Sequence, residues 1–98
     1  MSYNTAMIVT VKHKGLADLY WEDQSKGVKQ IHVERLKRIL FELETAKVIN
    51  DMDIPRLKLH SLQGKMKGFY AVSVSGNWRV IFRFVDGNAY DVDLVDYH

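Results

Sequence analysis

The stretch Val28–Ile49, "VKQIHVERLKRILFELETAKVI", and the change of pattern after it constrain the fold more than any other part of the chain. Val33, Leu36, Ile39, Leu40 and Leu43 fall on one stripe at helical spacing, with Glu34, Arg35, Lys37, Arg38 and Glu44 mostly opposite. A helix of this kind has one apolar face and needs another layer to bury it against. After Pro55, the only proline, the period changes from helical to alternating. "LKLHSL" sets Leu57 and Leu59 against Lys58 and His60. "FYAVSVSG", "NWRVIFRFV" and "NAYDVDLVDY" read as three more strands, with hairpin signals at Ser75-Gly76 and Asp86-Gly87-Asn88. Upstream, Met7–Val11 reads as a short strand, and Leu16, Leu19 and Tyr20 mark a short amphipathic helix. The predicted order is β-α-α-β-β-β-β: an α+β fold, with two N-terminal helices packed on a mainly antiparallel β-sheet.

Ninety-eight residues suffice for one core, and 47% hydrophobic with 27% charged content is that of an ordinary globular domain. With no cysteine there is no disulfide, thiol nucleophile or thiolate metal site, and a reducing, cytoplasmic setting is favoured. No apolar run approaches the roughly 18 residues of a membrane span. The opening "MSYNTAMIVTV" lacks the pattern of a secretion signal. Residues 1–6 are expected to be a flexible leader and 7–98 a single domain.

The net charge of +2 conceals an asymmetry. Between Ile54 and Val85 lie Arg56, Lys58, Lys65, Lys67, Arg79 and Arg83, together with His60, and no acid. The acids of the last third all follow: Asp86, Asp91, Asp93 and Asp96. Such a segment makes a local positive field suited to a phosphate backbone, although a solvated basic loop explains it equally well.

Alternation sorts the strand side chains. Trp78, Val80, Phe82 and Phe84 are expected under the helices, leaving Arg79, Ile81 and Arg83 on the open face. In the last strand Tyr90, Val92 and Leu94 form the apolar set, with Asp91 and Asp93 opposite, so cross-strand ion pairing is the plainer reading of Arg83. Of four histidines, His13 and His32 read as surface residues, while His60 and His98 lie on strands beside charged neighbours. No histidine pair has metal-ligand spacing, so neither a metal nor another cofactor is expected. "GKMKG" at Gly64–Gly68 is not a nucleotide loop, but it is flexible and doubly basic.

Three elements, "LHSLQG", "GNWRVIFRF.DG.AYDV" and the terminal "DYH", together with the opening "MIVTVKHKGL", resemble the HigB toxins, the plasmid-maintenance killer branch of the RelE/ParE superfamily. The resemblance runs from Met7 to His98 and implies the same α+β fold. It implies a toxin of a type II toxin-antitoxin system that cleaves mRNA on the translating ribosome without a metal, inhibits growth, and is neutralised by a HigA-like helix-turn-helix antitoxin. It also implies an active site of His60, Arg79, Asp96, Tyr97 and His98. Two positions depart from the pattern: Gln63 stands where some members carry lysine, and Ser75 where some carry arginine.

Metal-free RNA cleavage needs a base for the 2′-OH, a cation for the phosphorane, an acid for the 5′-oxygen, and in-line positioning. His60 and His98 are candidates for base and acid, in either assignment, and Arg79 for the cation. Asp96 would orient a ring, Tyr97 would stack on a base or bond the phosphate, and the α-carboxylate of His98 would favour its own protonated ring. Lys58, Lys65, Lys67 and Arg83 are candidate RNA-phosphate contacts. The alternatives are a ParE-like gyrase inhibitor without nuclease activity, and a decayed toxin that only binds antitoxin or RNA.

Overall fold

The structure, a computed structural model, describes residues 7–97. The expected leader, residues 1–6, and His98 lie outside them. Five strands, β1 (Met7–Ile8), β2 (His60–Ser61), β3 (Phe69–Ser75), β4 (Trp78–Val85) and β5 (Asn88–Asp96), form one sheet in the order β1-β5-β4-β3-β2. Two α-helices, α1 (Lys14–Glu22) and α2 (Val33–Thr45), cover one face. The β2–β3, β3–β4 and β4–β5 pairs are antiparallel, whereas β1 runs parallel to β5.

The α+β class is as predicted, but the simple element order is not matched. Four 3-10 turns intervene, at Gln30–His32, Ile49–Met52, Pro55–Leu57 and Gly64–Met66. The local reasons are visible. The Asp51 carboxylate accepts the amides of Lys47 and Val48 (2.9 and 3.2 Å), which starts the second turn and holds its pKa below the ordinary value. Pro55 sits in the first turn of the third, with Ile54 extended before it. Lys58 then takes a left-handed conformation (φ 51°), which cuts the expected "LKLHSL" strand down to His60–Ser61.

Leu36, Ile39, Leu40 and Leu43 of α2 and Leu16 and Leu19 of α1 are buried in one core with Val72, Val74, Val80, Phe82, Ala89, Val92 and Leu94 of the sheet. Phe82 is completely buried, while Trp78 and Phe84 pack on this core partly exposed.

Two bulges correct the expected alternation. Ile81 pairs with Asp93 but Arg83 pairs with Tyr90, so β5 holds one extra residue opposite Phe82. Asp91 takes a left-handed conformation (φ 54°), and its amide donates to Thr10 Oγ1 at 2.7 Å. The phase of β5 therefore changes: Ala89, Val92 and Leu94 face the helices, while Tyr90, expected with them, goes to the open face opposite Arg83. The second bulge, between Ser73 and Ser75, buries Val74 and brings Ser75 opposite Trp78 on the helix side.

The entry to α1 is tight. His13 Nδ1 caps the helix by accepting the Leu16 amide at 3.0 Å. A Cβ on Gly15 would lie 2.1 Å from the Gly27 carbonyl oxygen, so the start of α1 and the loop before α2 touch backbone to backbone. Gly15→Ala, normally favourable inside a helix, should instead destabilise by about 1–3 kcal/mol, the usual cost of overpacking. At about 4–8 °C per kcal/mol for a domain of this size, thermal melting measures it directly. A raised melting temperature would contradict the contact.

Candidate active site

Cross-strand partners share a face, so the register arranges the open side in rows. One row runs His60, Ala71, Ile81, Asp93, and the next runs Ser73, Arg79, Val95. His60 and Arg79 are separated by two strand spacings, roughly 10 Å, and one two-residue step, about 7 Å. Between them lies a small apolar floor of buried Leu62, Ala71 and Ile81, with Met66, Phe69 and Val95 packed on it. Leu62 and Met66 come from the β2–β3 connection, which folds over this face and carries Lys65 and Lys67 on its exposed side.

His60 is exposed, and its Nδ1 lies 3.0 Å from the Lys58 carbonyl oxygen. A carbonyl only accepts, so Nδ1 carries the proton and the neutral ring has its lone pair on Nε2. The left-handed turn at Lys58 aims that carbonyl.

Arg79 does not simply project outward. Its Nη1 donates to the carbonyls of Gly76 (2.7 Å) and Trp78 (3.0 Å), holding the side chain against the β3–β4 turn. Its Nε–Nη2 edge has no hydrogen-bond partner among the described residues. The same turn receives the end of β5, where the Tyr97 amide donates to the Asn77 carbonyl at 2.7 Å and Asp96 pairs with Trp78. The Tyr97 side chain is 48% exposed.

Arg83 lies elsewhere on β4, four residues from Arg79. It bonds Asp91 at 3.0 Å and sits 5.3 Å from the Tyr90 ring centroid. The structure thus brings Arg79, Asp96 and Tyr97 to one end of the sheet; Arg79 shares the open face with His60, whereas Asp96, opposite Trp78, belongs to the helix face. Arg83 is engaged apart from this group. Lys58, Lys65 and Lys67 are exposed around His60 and the connection after it.

One group escaped the sequence analysis. His32, expected on the surface, is 3% exposed. Its Nε2 lies 3.0 Å from Ser75 Oγ, its ring stands edge-on to Trp78 at 5.5 Å, and its Nδ1 is buried without a hydrogen-bond partner among the described residues. The signal was present, since position 32 precedes Leu36 and Leu40 on the stripe by four and eight residues. Ser75, where some relatives of the resembled family are basic, here provides the hydroxyl for this imidazole.

A sequence profile for HigB-like toxins, described as the RelE-like toxin HigB of a type II toxin-antitoxin system, matches residues 9–98. The chain belongs to this family. It is 37% identical over 92 residues to the protein named Endoribonuclease HigB of Proteus vulgaris, covering 94% of this chain and all of that one. It is 31% identical over 90 residues to Toxin HigB-1 of Vibrio cholerae serotype O1, covering 90% of this chain and 95% of that one. Among solved structures, a YafQ variant from E. coli superposes with a TM-score of 0.56 at 19% identity over 92% of this chain and 89% of that one, a likeness of fold. In this HigB-like chain, among the described residues, no helix is long and apolar enough to cross a membrane.

Burial, and secondarily the nearby Lys29 charge, push the His32 pKa below its usual value. The unfolded chain takes up a proton near pH 6.5 that the folded chain resists, so this residue costs nothing above that pH and destabilises progressively below it. The melting temperature should fall between pH 7.5 and 5.5, and His32→Gln should reduce that fall. An identical pH dependence in the two proteins would show that His32 is not the group responsible.

Proposed function

We propose that this toxin-family chain is an mRNA endoribonuclease that acts on the translating ribosome without a metal, and that residues 7–98 form its single toxin domain. The observation that carries the reading is the His60–Lys58 contact. It fixes the tautomer with a bare Nε2, on the face that also presents the guanidinium edge of Arg79 left without a hydrogen-bond partner among the described residues. The name of the Proteus vulgaris relative points to the same chemistry.

In this reading His60 Nε2 takes the proton of the 2′-OH, whose oxygen attacks the adjacent phosphorus. The Nε–Nη2 edge of Arg79 bonds two phosphorane oxygens, a match that guanidinium geometry provides and ammonium does not. Nη1, tied to two turn carbonyls, keeps that edge oriented. His98, following Tyr97, donates a proton to the departing 5′-oxygen, and a 2′,3′-cyclic phosphate remains. With His60 held as the base, the acid role falls to His98. Asp96 orients that ring, and Tyr97 stacks on a base or bonds the phosphate. Lys58, Lys65 and Lys67 draw in the RNA backbone. Arg83, already paired with Asp91, contributes field rather than a direct contact. A HigA-like helix-turn-helix antitoxin in the same cytoplasm completes the pair.

Induction in translating cells with mapping of mRNA 5′ ends tests this. Codon-phased cuts are expected, whereas DNA damage without cuts would indicate a gyrase inhibitor, and neither would indicate an inert binder. Arg79→Ala should lower cleavage by about 10²–10³, the scale of a lost transition-state donor, and His60→Ala by about 10²–10⁴. Both should melt near the parent temperature. Undiminished toxicity in either variant would remove that residue from the mechanism.

A further inference from the structure

The mechanism leaves one buried titratable side chain unused. His32 sits where the Gln30–His32 turn runs into α2, on the helix side of the sheet, and is 3% exposed. Its Nε2 lies 3.0 Å from Ser75 Oγ, and its ring stands edge-on to Trp78 with centroids 5.5 Å apart. Its Nδ1 has no hydrogen-bond partner among the described residues, so Ser75 carries the polar tether of the ring. Ser75 and Trp78 flank the β3–β4 turn and pair with each other across it. One imidazole therefore grips both sides of a turn made only of Gly76 and Asn77. Lys29 adds a further contact to the indole, with Nζ 5.3 Å from the Trp78 ring centroid.

The open face uses the same turn. Arg79 Nη1 donates to the carbonyls of Gly76 (2.7 Å) and Trp78 (3.0 Å), and the Asn77 carbonyl between them accepts the Tyr97 amide at 2.7 Å. His32, Ser75 and Trp78 lie on the helix face and Arg79 on the other, so the coupling runs through the turn backbone rather than between side chains. The turn has little of its own to fix it. Gly76 takes a positive φ of 53°, a region that glycine enters and leaves without steric cost. The bulge between Ser73 and Ser75 interrupts the ladder just before it. That bulge also creates the tether. Ser73 pairs with Arg79, and strict alternation would have left Ser75 beside them on the open face.

We infer that His32 is a positioning residue for Arg79: through Ser75 and Trp78 it holds the β3–β4 turn from behind, so that the turn carbonyls keep the guanidinium edge aimed at the phosphate. This rests on the nuclease reading and adds to it a group that touches neither RNA nor Arg79. A guanidinium stabilises the phosphorane only in register with it, and a displacement of about 1 Å can cost about 10²-fold in rate.

Two readouts test the inference, one of them independent of activity. Nitrogen relaxation of Arg79 Nε should show a side chain nearly as ordered as its backbone in the parent. Ser75→Ala and His32→Phe each remove the tether, and both should loosen that Nε and shift the Asn77, Trp78 and Tyr97 amides. Ser75→Thr keeps the hydroxyl and should behave as the parent. If His32→Phe does not fold, Ser75→Ala, at an exposed position, supplies both readouts. In cleavage of ribosome-bound mRNA, Ser75→Ala should lower kcat by about 10–10²-fold with KM nearly unchanged. On an Arg79→Ala background it should have no further effect, because the group it positions is gone. Ile39→Val trims the core two turns further along α2 and should lower the melting temperature while moving neither readout. An unchanged Arg79 Nε in the tether variants would overturn the inference, whatever the rates. Losses from Ser75→Ala and Arg79→Ala that simply multiply would assign the tether to general stability and overturn it as well. A parent that cuts no RNA would end the nuclease reading, while the relaxation data would still decide whether His32 holds the guanidinium.

Discussion

Ala89, Val92 and Leu94 all reach the helices because β5 carries one extra residue at Asp91, and much of the molecule depends on that phase change. Strict alternation from Ala89 would send Asp91 and Asp93 into the core and expel Val92 and Leu94. Burying two unpaired carboxylates would outweigh what a domain of this size has in reserve. Thr10 stabilises the alternative by accepting the Asp91 amide through its hydroxyl and the Val92 amide through its carbonyl. The parallel contact of β1 with β5 is thus more than an edge pairing, because it supports the bulge that sets the face of everything after it.

That phase also governs the site. With Leu94 inward, Val95 joins the open-face floor beside Arg79, and Asp96 falls opposite Trp78. The Tyr97 amide is bonded to the β3–β4 turn, the same turn whose Gly76 carbonyl holds Arg79. One hairpin therefore positions both the guanidinium and the Asp96–Tyr97 segment, and His60 lies across the apolar floor of Leu62, Ala71 and Ile81 from the guanidinium.

The layers were legible in the sequence because the α2 stripe and the β4 alternation are long and unambiguous. Val33 to Leu43 and Val80, Phe82 and Phe84 sit where periodicity puts them. What escaped were single-residue events. Tyr90 looked equivalent to Val92 because no local pattern marks an aspartate as a bulge, and its place beside Arg83 depends on the bond from the Asp91 amide to Thr10, 81 residues before Asp91. His32 looked like a surface residue because its burial depends on Trp78 and on Ser75, the latter turned toward it by the second bulge. The shortened β2 follows from the left-handed Lys58, a conformation more typical of glycine or asparagine than of lysine. Of the candidate site, residue identities came from the resemblance. The His60 tautomer, the tethering of Arg79 and the engagement of Arg83 required coordinates.

Under the proposed nuclease mechanism, the residues that follow β5 serve chemistry rather than folding. Cleavage rates and melting temperatures of the parent and of His98→Ala, measured on the same preparations, test it most directly. Loss of a general acid predicts a fall in cleavage of about 10²–10⁴ with an unchanged melting temperature. Full cleavage by His98→Ala would remove the terminal imidazole from the mechanism, and a variant that loses activity only because it no longer folds would make that residue structural.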